Sequence, residues 1–189
     1  MTTQSAPQAH LPVNGVDVDE VMNLIGSIDQ EADLGRCQFR ARNTWVTGGL
    51  NRSRIQNFYA VGNEDTSRSQ PFELAADEPM FLASNDSAPN PVEFVLHALA
   101  GCLTTTTTYH AAVQGIVIEA IDSALEGDLD LRGIFGLSAE VRKGFSEVRV
   151  RMRIKSSASV DELRELAMFS PVFDIVSNSV PVKLIIEKV

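Results

Sequence analysis

Cysteine is scarce in this sequence. Cys37 and Cys102 are the only two among 189 residues, too few for a disulfide framework, and in a reducing compartment such thiols are free, buried or catalytic. No stretch reaches the roughly 18 uninterrupted apolar residues of a membrane helix. The first 35 residues contain neither Lys nor Arg and no apolar run; a secretory signal needs both, so the expected location is the cytoplasm. Basic residues are outnumbered, 16 against 25 acidic ones for a net charge of -9, which argues against nucleic acid and anionic membrane as partners. No G-x-S-x-G elbow is present to make a serine hydrolase of the chain. His97 and His110 stand 13 positions apart rather than one helical turn, so no metal site, and no other cofactor, is expected.

What is present suits one good core with an added arm: 44% of the residues are hydrophobic and 22% charged. Residues 1–35 carry six acids, Asp17, Asp19, Glu20, Asp29, Glu31 and Asp33, and no base. Val18, Val21, Met22 and Ile25 give this arm a weak amphipathic helix over about 17–32 that docks loosely. From Cys37 to Leu74 short apolar and aromatic runs are broken by Gly48-Gly49, Gly62-Asn63 and Ser/Asp clusters, which predicts three strands in an antiparallel meander. Residues 36–189 read as the main domain.

The segment NPVEFVLHALAGCLTTTTTYHAAVQG predicts a helix over 91–114. Asn90 is a good N-cap, Pro91 suits the first helical position, Glu93 can reach back to the cap, and Gly115 supplies the stop. Apolar residues surround it on all sides, so it must be covered all round, by other helices or by a second subunit, and a homo-oligomer follows. At about 100° per residue Cys102 shares a face with Val95, Ala98, Leu99, Thr105, Thr106 and Tyr109, while Glu93 and His97 lie opposite. Downstream, a strand is predicted over about 116–127. In EVRVRMRIK, Val148, Val150, Met152 and Ile154 alternate with Arg149, Arg151, Arg153 and Lys155, a core face backed by a solvated basic one. Ser159 and Glu162 form a capping box for a helix over 160–169 with Leu163, Leu166, Ala167 and Phe169 as its stripe. Ser170 then caps a short helix over 171–177, and Val180–Lys188 reads as a last strand.

Three separated segments, NPVEFVLHALAGC, GIVIEAIDSALEGDLDLRG and SPVFDIVSNSVPV, together resemble the OsmC and organic hydroperoxide resistance family, over roughly Arg42 to Val189. The resemblance implies an α+β fold of antiparallel sheets with a long central helix, built as an intertwined homodimer with active sites at the subunit interface. It implies reduction of organic hydroperoxides by a cysteine in the central helix, matched here by Cys102. The family's second, resolving cysteine is replaced by Ser170. The activating arginine comes from a glycine-bearing hairpin resembling TWVTGGLNRSR, which puts Arg52 first and Arg54 next; the glutamate that follows Asn-Pro in the family is Val92 here.

Two functions follow from the resemblance. One is a peroxidase of the oxidative stress response, working through Cys102 with an external thiol as reductant, because a sulfenic acid must be captured before it oxidises further. The other is a non-catalytic or divergent relative that binds a small hydrophobic molecule in a pocket formed by Val92, Val95, Leu99, Thr105, Thr106 and Tyr109. Cys37 is read as a structural thiol on a first strand.

Overall fold

The computed structural model describes residues 11–188, in which the chain divides into two units, one centred on Asp17–Val95 and the other on Leu96–Val189 with Val13–Val16. The first begins with helix α1, Val18–Gln30, capped by the Asp17 carboxylate, which accepts from the Glu20 amide. Its apolar residues Met22, Leu24 and Ile25 are exposed. Five strands follow: β1 Arg42–Thr47, β2 Leu50–Ile55, β3 Phe58–Ala60, β4 Asn63–Asp65 and β5 Phe72–Ala76. They make a three-stranded antiparallel sheet in the order β1-β2-β5 and a separate β3-β4 hairpin. The three-strand meander expected from the sequence is therefore corrected: the sheet's third member is β5, reached only after the hairpin. That hairpin turns through Val61 (φ 49°) and Gly62 (φ 76°), two positive-φ positions that match the right-handed twist of the paired strands. Cys37, expected on a strand, lies exposed in irregular chain just before an isolated bridge between Gln38 and Tyr59.

Among the described residues this unit buries no apolar side chain; its one buried residue is Asp77. The Asp77 carboxylate accepts from the hydroxyl and amide of Ser87, the hydroxyl of Ser84 and the amide of Glu78, and its own amide donates to the Pro89 carbonyl. Three of the four donors to the carboxylate lie seven to ten residues downstream, so one side chain fixes the whole loop leading to the central helix. Met80 and Phe81 project from that loop, 74% and 73% exposed.

The central helix α2, Pro91–Val113, starts as the sequence predicts: the Asn90 side chain accepts from the Glu93 amide and the Glu93 carboxylate accepts from the Asn90 amide. It stops at Gly115 (φ 70°), with Ile116 N–H returning to the Ala111 carbonyl and Gly115 N–H to that of Ala112. Strands β6, Ile118–Asp128, and β7, Glu147–Ser156, pair antiparallel in a second sheet, and between them Asp130 caps a one-turn helix, α3, Leu131–Ile134. Helices α4, Val160–Ala167, and α5, Pro171–Ser177, follow. The core of this unit is a stripe of α2, Leu99, Leu103, Thr107, Ala111 and Ala112, together with Leu163 and Leu166 of α4. Phe169, expected on the α4 stripe, falls beyond the helix and is exposed.

Three further expectations change. The basic face of β7 is solvated as read, but β6 supplies acids to it. Arg149 bonds Glu126, Asp128 and Glu147, and Lys155 pairs with Glu119. The strand read over Val180–Lys188 does not form: the segment has no ladder partner among the described residues, and Val182, Leu184 and Ile186 are each more than three-quarters exposed. Alternation supplies the propensity for a strand, but a strand also needs another strand's amides and carbonyls. Finally, residues 13–16 of the arm are fastened rather than loose, while residues 1–10 lie outside the described ones. Asn14 (φ 55°) and Gly15 (φ 77°) form a tight turn, Asn14 donates to the Ile116 carbonyl at 2.9 Å and accepts from the Ile118 amide at 2.8 Å, and Val16 is 7% exposed.

Candidate functional site

The face of α2 that carries Cys102 is only partly covered. Cys102 itself is half-buried, its Sγ 4.0 Å from the Thr106 hydroxyl one turn on, while the Thr105 hydroxyl donates to the Cys102 carbonyl at 3.3 Å. The threonine run thus divides by face. Thr108 bonds back to the Thr104 carbonyl at 2.8 Å, Thr107 is wholly buried, and Thr105 and Thr106 open outward. Thr107 Oγ1 is a buried polar atom without a hydrogen-bond partner in the described residues.

Thr105, Thr106, Tyr109 and His110 of α2 line an open cavity of about 510 Å³, whose other wall is Phe169 and Pro171. The imidazole of His110 stacks on the Phe169 ring, centroids 4.4 Å apart and planes inclined by 15°. Between Phe169 and Pro171 lies Ser170, 1% exposed, whose Oγ accepts from the Phe173 amide at 3.2 Å. Ser170 is thus the N-cap of α5, a role worth about 1 kcal/mol. The unit therefore brings three of the sequence-derived pocket residues, Thr105, Thr106 and Tyr109, to the corner that holds Ser170. His110, Phe169 and Pro171 complete the wall. Sequence reading weighed His110 only as a hydrolase partner of Ser170 or as half of a metal pair, and so missed it as a wall of this cavity.

The remaining named residues are placed differently. Leu99 is 2% exposed and belongs to the core. Val92 and Val95 lie on the first turns of α2, in the first unit. Arg52 and Arg54 are exposed on one face of β2; Arg52 stands between Thr44 and Ala75, and Arg54 pairs with Glu73 at 3.3 Å. Among the described residues no cluster of His, Cys, Asp and Glu has the makings of a metal site, and no helix is long and apolar enough to cross a membrane.

Residues 84–185, more than half of the chain, match the OsmC-like protein family. The chain belongs to this family. The matched span holds the OsmC-like domain's central helix with Cys102, both strands of the second sheet and the Ser170-Pro171 corner, whereas Arg52 and the arm precede it. Solved structures share the fold. An OsmC-like protein from Mycoplasma pneumoniae is 16% identical, with 75% of this chain and 89% of that one covered at a TM-score of 0.55. An OsmC-like protein of unknown function from Vibrio cholerae is 14% identical, with 76% and 93% covered at a TM-score of 0.54. No curated protein matches the sequence.

Proposed function

We propose that this OsmC-like protein is a cytoplasmic peroxidase of the oxidative stress response that reduces organic hydroperoxides through one reactive cysteine, Cys102, and is returned to its starting state by an external thiol. The observation that carries the reading is the setting of Cys102, half-buried and 4.0 Å from the hydroxyl of Thr106, which lines an open cavity, with a capped and buried Ser170 at the position that the resemblance gives to the family's second thiol. The Cys102 thiolate attacks one peroxide oxygen, the O–O bond breaks, and the departing alkoxide takes a proton to leave as the alcohol, with Cys102 as a sulfenic acid. A thiol from solution then attacks the sulfenic sulfur, expelling water and leaving a mixed disulfide, and a second thiol frees Cys102. Attack needs a cation to hold the thiolate, since a free thiol with a pKa near 8.5 is mostly protonated at neutral pH. Arg52 is our first choice for that cation and Arg54, already engaged by Glu73, the second. The working form is a homodimer: only one stripe of α2 is buried within the chain, and Val95 and Tyr109 are 39% and 51% exposed.

In the second reading the same cavity binds a small hydrophobic molecule without turnover. It is favoured by Val92 at the position of the family's glutamate and by the flat aromatic wall of Phe169. Turnover assays with an alkyl hydroperoxide and a small thiol or dithiol separate the two. The peroxidase reading predicts hydroperoxide consumption that is abolished in Cys102→Ser, retained in Cys37→Ser and slowed in Arg52→Ala. Failure of the wild type to consume hydroperoxide with any thiol leaves the binding reading. Ser170→Cys tests the corner separately, since that variant should close an internal disulfide on oxidation.

A further inference from the structure

A second group of cationic residues lies on the first sheet; it includes Arg54, the second choice for the thiolate's cation, but not Arg52. Arg42 of β1 and Arg54 of β2 are direct cross-strand partners, and like charges in that relation destabilise a strand pair. In the β6-β7 sheet Arg149 stands opposite Glu126 and Arg153 opposite Asp122, and the one like-charged pair, Asp128–Glu147, is bridged by Arg149. The Arg42–Arg54 pair borders a polar cavity of about 330 Å³ completed by Arg40, Gln56, Asn57 and Glu64.

The donors there are unequally committed. Arg40 is a fixed post, its guanidinium bonded to both Glu64 oxygens and to the Gln38 amide oxygen, so that Arg40 and Glu64 neutralise each other. Arg54 reaches Glu73 on its other side, Nε to carboxylate 3.3 Å, with both side chains largely exposed. Arg42 has no acidic partner within ion-pair distance among the described residues. The cavity is thus bordered by two arginines side by side on one strand pair and has a positive charge balance, in a protein whose total is -9. A guanidinium fork matches two oxygens of a carboxylate or phosphate, and a pair of forks serves a tetrahedral oxyanion better than a point charge does.

We propose that Arg42 and Arg54 clamp an oxyanion, a phosphate or carboxylate group on a small molecule, in the cavity at this end of the β1-β2 pair. The anion relieves the repulsion between the two guanidinium groups, so binding and sheet stability are linked.

The test is thermal unfolding of the full chain in chloride, phosphate and succinate at matched ionic strength and pH, with phosphate affinity measured by titration calorimetry. Arg42→Gln and Arg54→Gln are compared with Arg149→Gln, which removes an arginine already held by three acids. Phosphate should raise the melting temperature of the wild type and of Arg149→Gln by a few degrees more than it raises Arg42→Gln, and the titration should weaken at least tenfold in Arg42→Gln and Arg54→Gln. A larger response to phosphate than to succinate assigns the site to phosphate groups, and the reverse to carboxylates. In low-salt chloride Arg42→Gln should melt no lower than the wild type, because the substitution removes a repulsion. Phosphate acts on any protein surface by exclusion, so an equal gain in all four proteins overturns the proposal. So does a wild type that shows no calorimetric binding, or an Arg42→Gln variant that melts lower than the wild type in low-salt chloride.

Discussion

Serine before proline at the head of a short apolar segment is a cap by its own chemistry, and the Ser170 hydroxyl accepts from Phe173 as that chemistry requires. The local role of Ser170 was legible in the sequence. Asp77 was not legible. Its donors Ser84 and Ser87 lie seven and ten residues downstream in a loop without periodicity, so nothing in the local pattern marks the carboxylate as the loop's anchor. These bonds, the Ser84 hydroxyl foremost, hold the Asp77 carboxyl well below the usual carboxylate range. A depressed pKa means that its stabilisation is complete above the unfolded-state value of about 3.9 and is lost as pH falls below it. Asp77→Asn should therefore lower the melting temperature at pH 7, and the gap from the wild type should narrow below about pH 4. Melting curves of both proteins from pH 7 to pH 3 check this, and a gap that widens in acid would contradict it.

Elements with their own start and stop signals were read well. The Asn90–Glu93 and Ser159–Glu162 boxes and the Gly115 stop lie within a few residues of the helices they bound. Elements that depend on a distant partner were read less well. The alternating segment 180–188 has the composition of a strand and no ladder, and β5 joined the first sheet across an intervening hairpin. The arm shows the same limit. Its composition suggests loose docking, yet Asn14 closes two hydrogen bonds to residues more than 100 positions away. Removing that amide leaves a part-buried carbonyl and amide unpaired, at a cost of about 1–3 kcal/mol. Asn14→Ala should lose stability by that amount in urea unfolding, whereas Asp19→Ala, on the exposed face of α1, should stay within about 0.5 kcal/mol of the wild type.

For the molecule as a whole, the distribution of burial is what the proposed homodimer rests on. The first unit buries no apolar side chain among its described residues, while Trp45, Phe72, Met80 and Phe81 are all at least 60% exposed. A three-stranded sheet without a covered apolar face is not stable alone in water. The proposed homodimer predicts that dilution lowers the melting temperature, because dissociation and unfolding are then linked. Sedimentation at micromolar concentration should give twice the mass of the chain, and a folded monomer there would contradict the assembly while leaving the chemistry of Cys102 open.

The peroxidase account is tested most directly by intact-protein and peptide mass spectrometry after one equivalent of an alkyl hydroperoxide, with a dimedone-type probe present and no thiol added. The account predicts a single probe adduct on Cys102, formed because no second thiol stands at position 170 to consume the sulfenic acid, and lost again when a small thiol is supplied before the probe. An unmodified Cys102, or oxidation confined to Cys37, would contradict it.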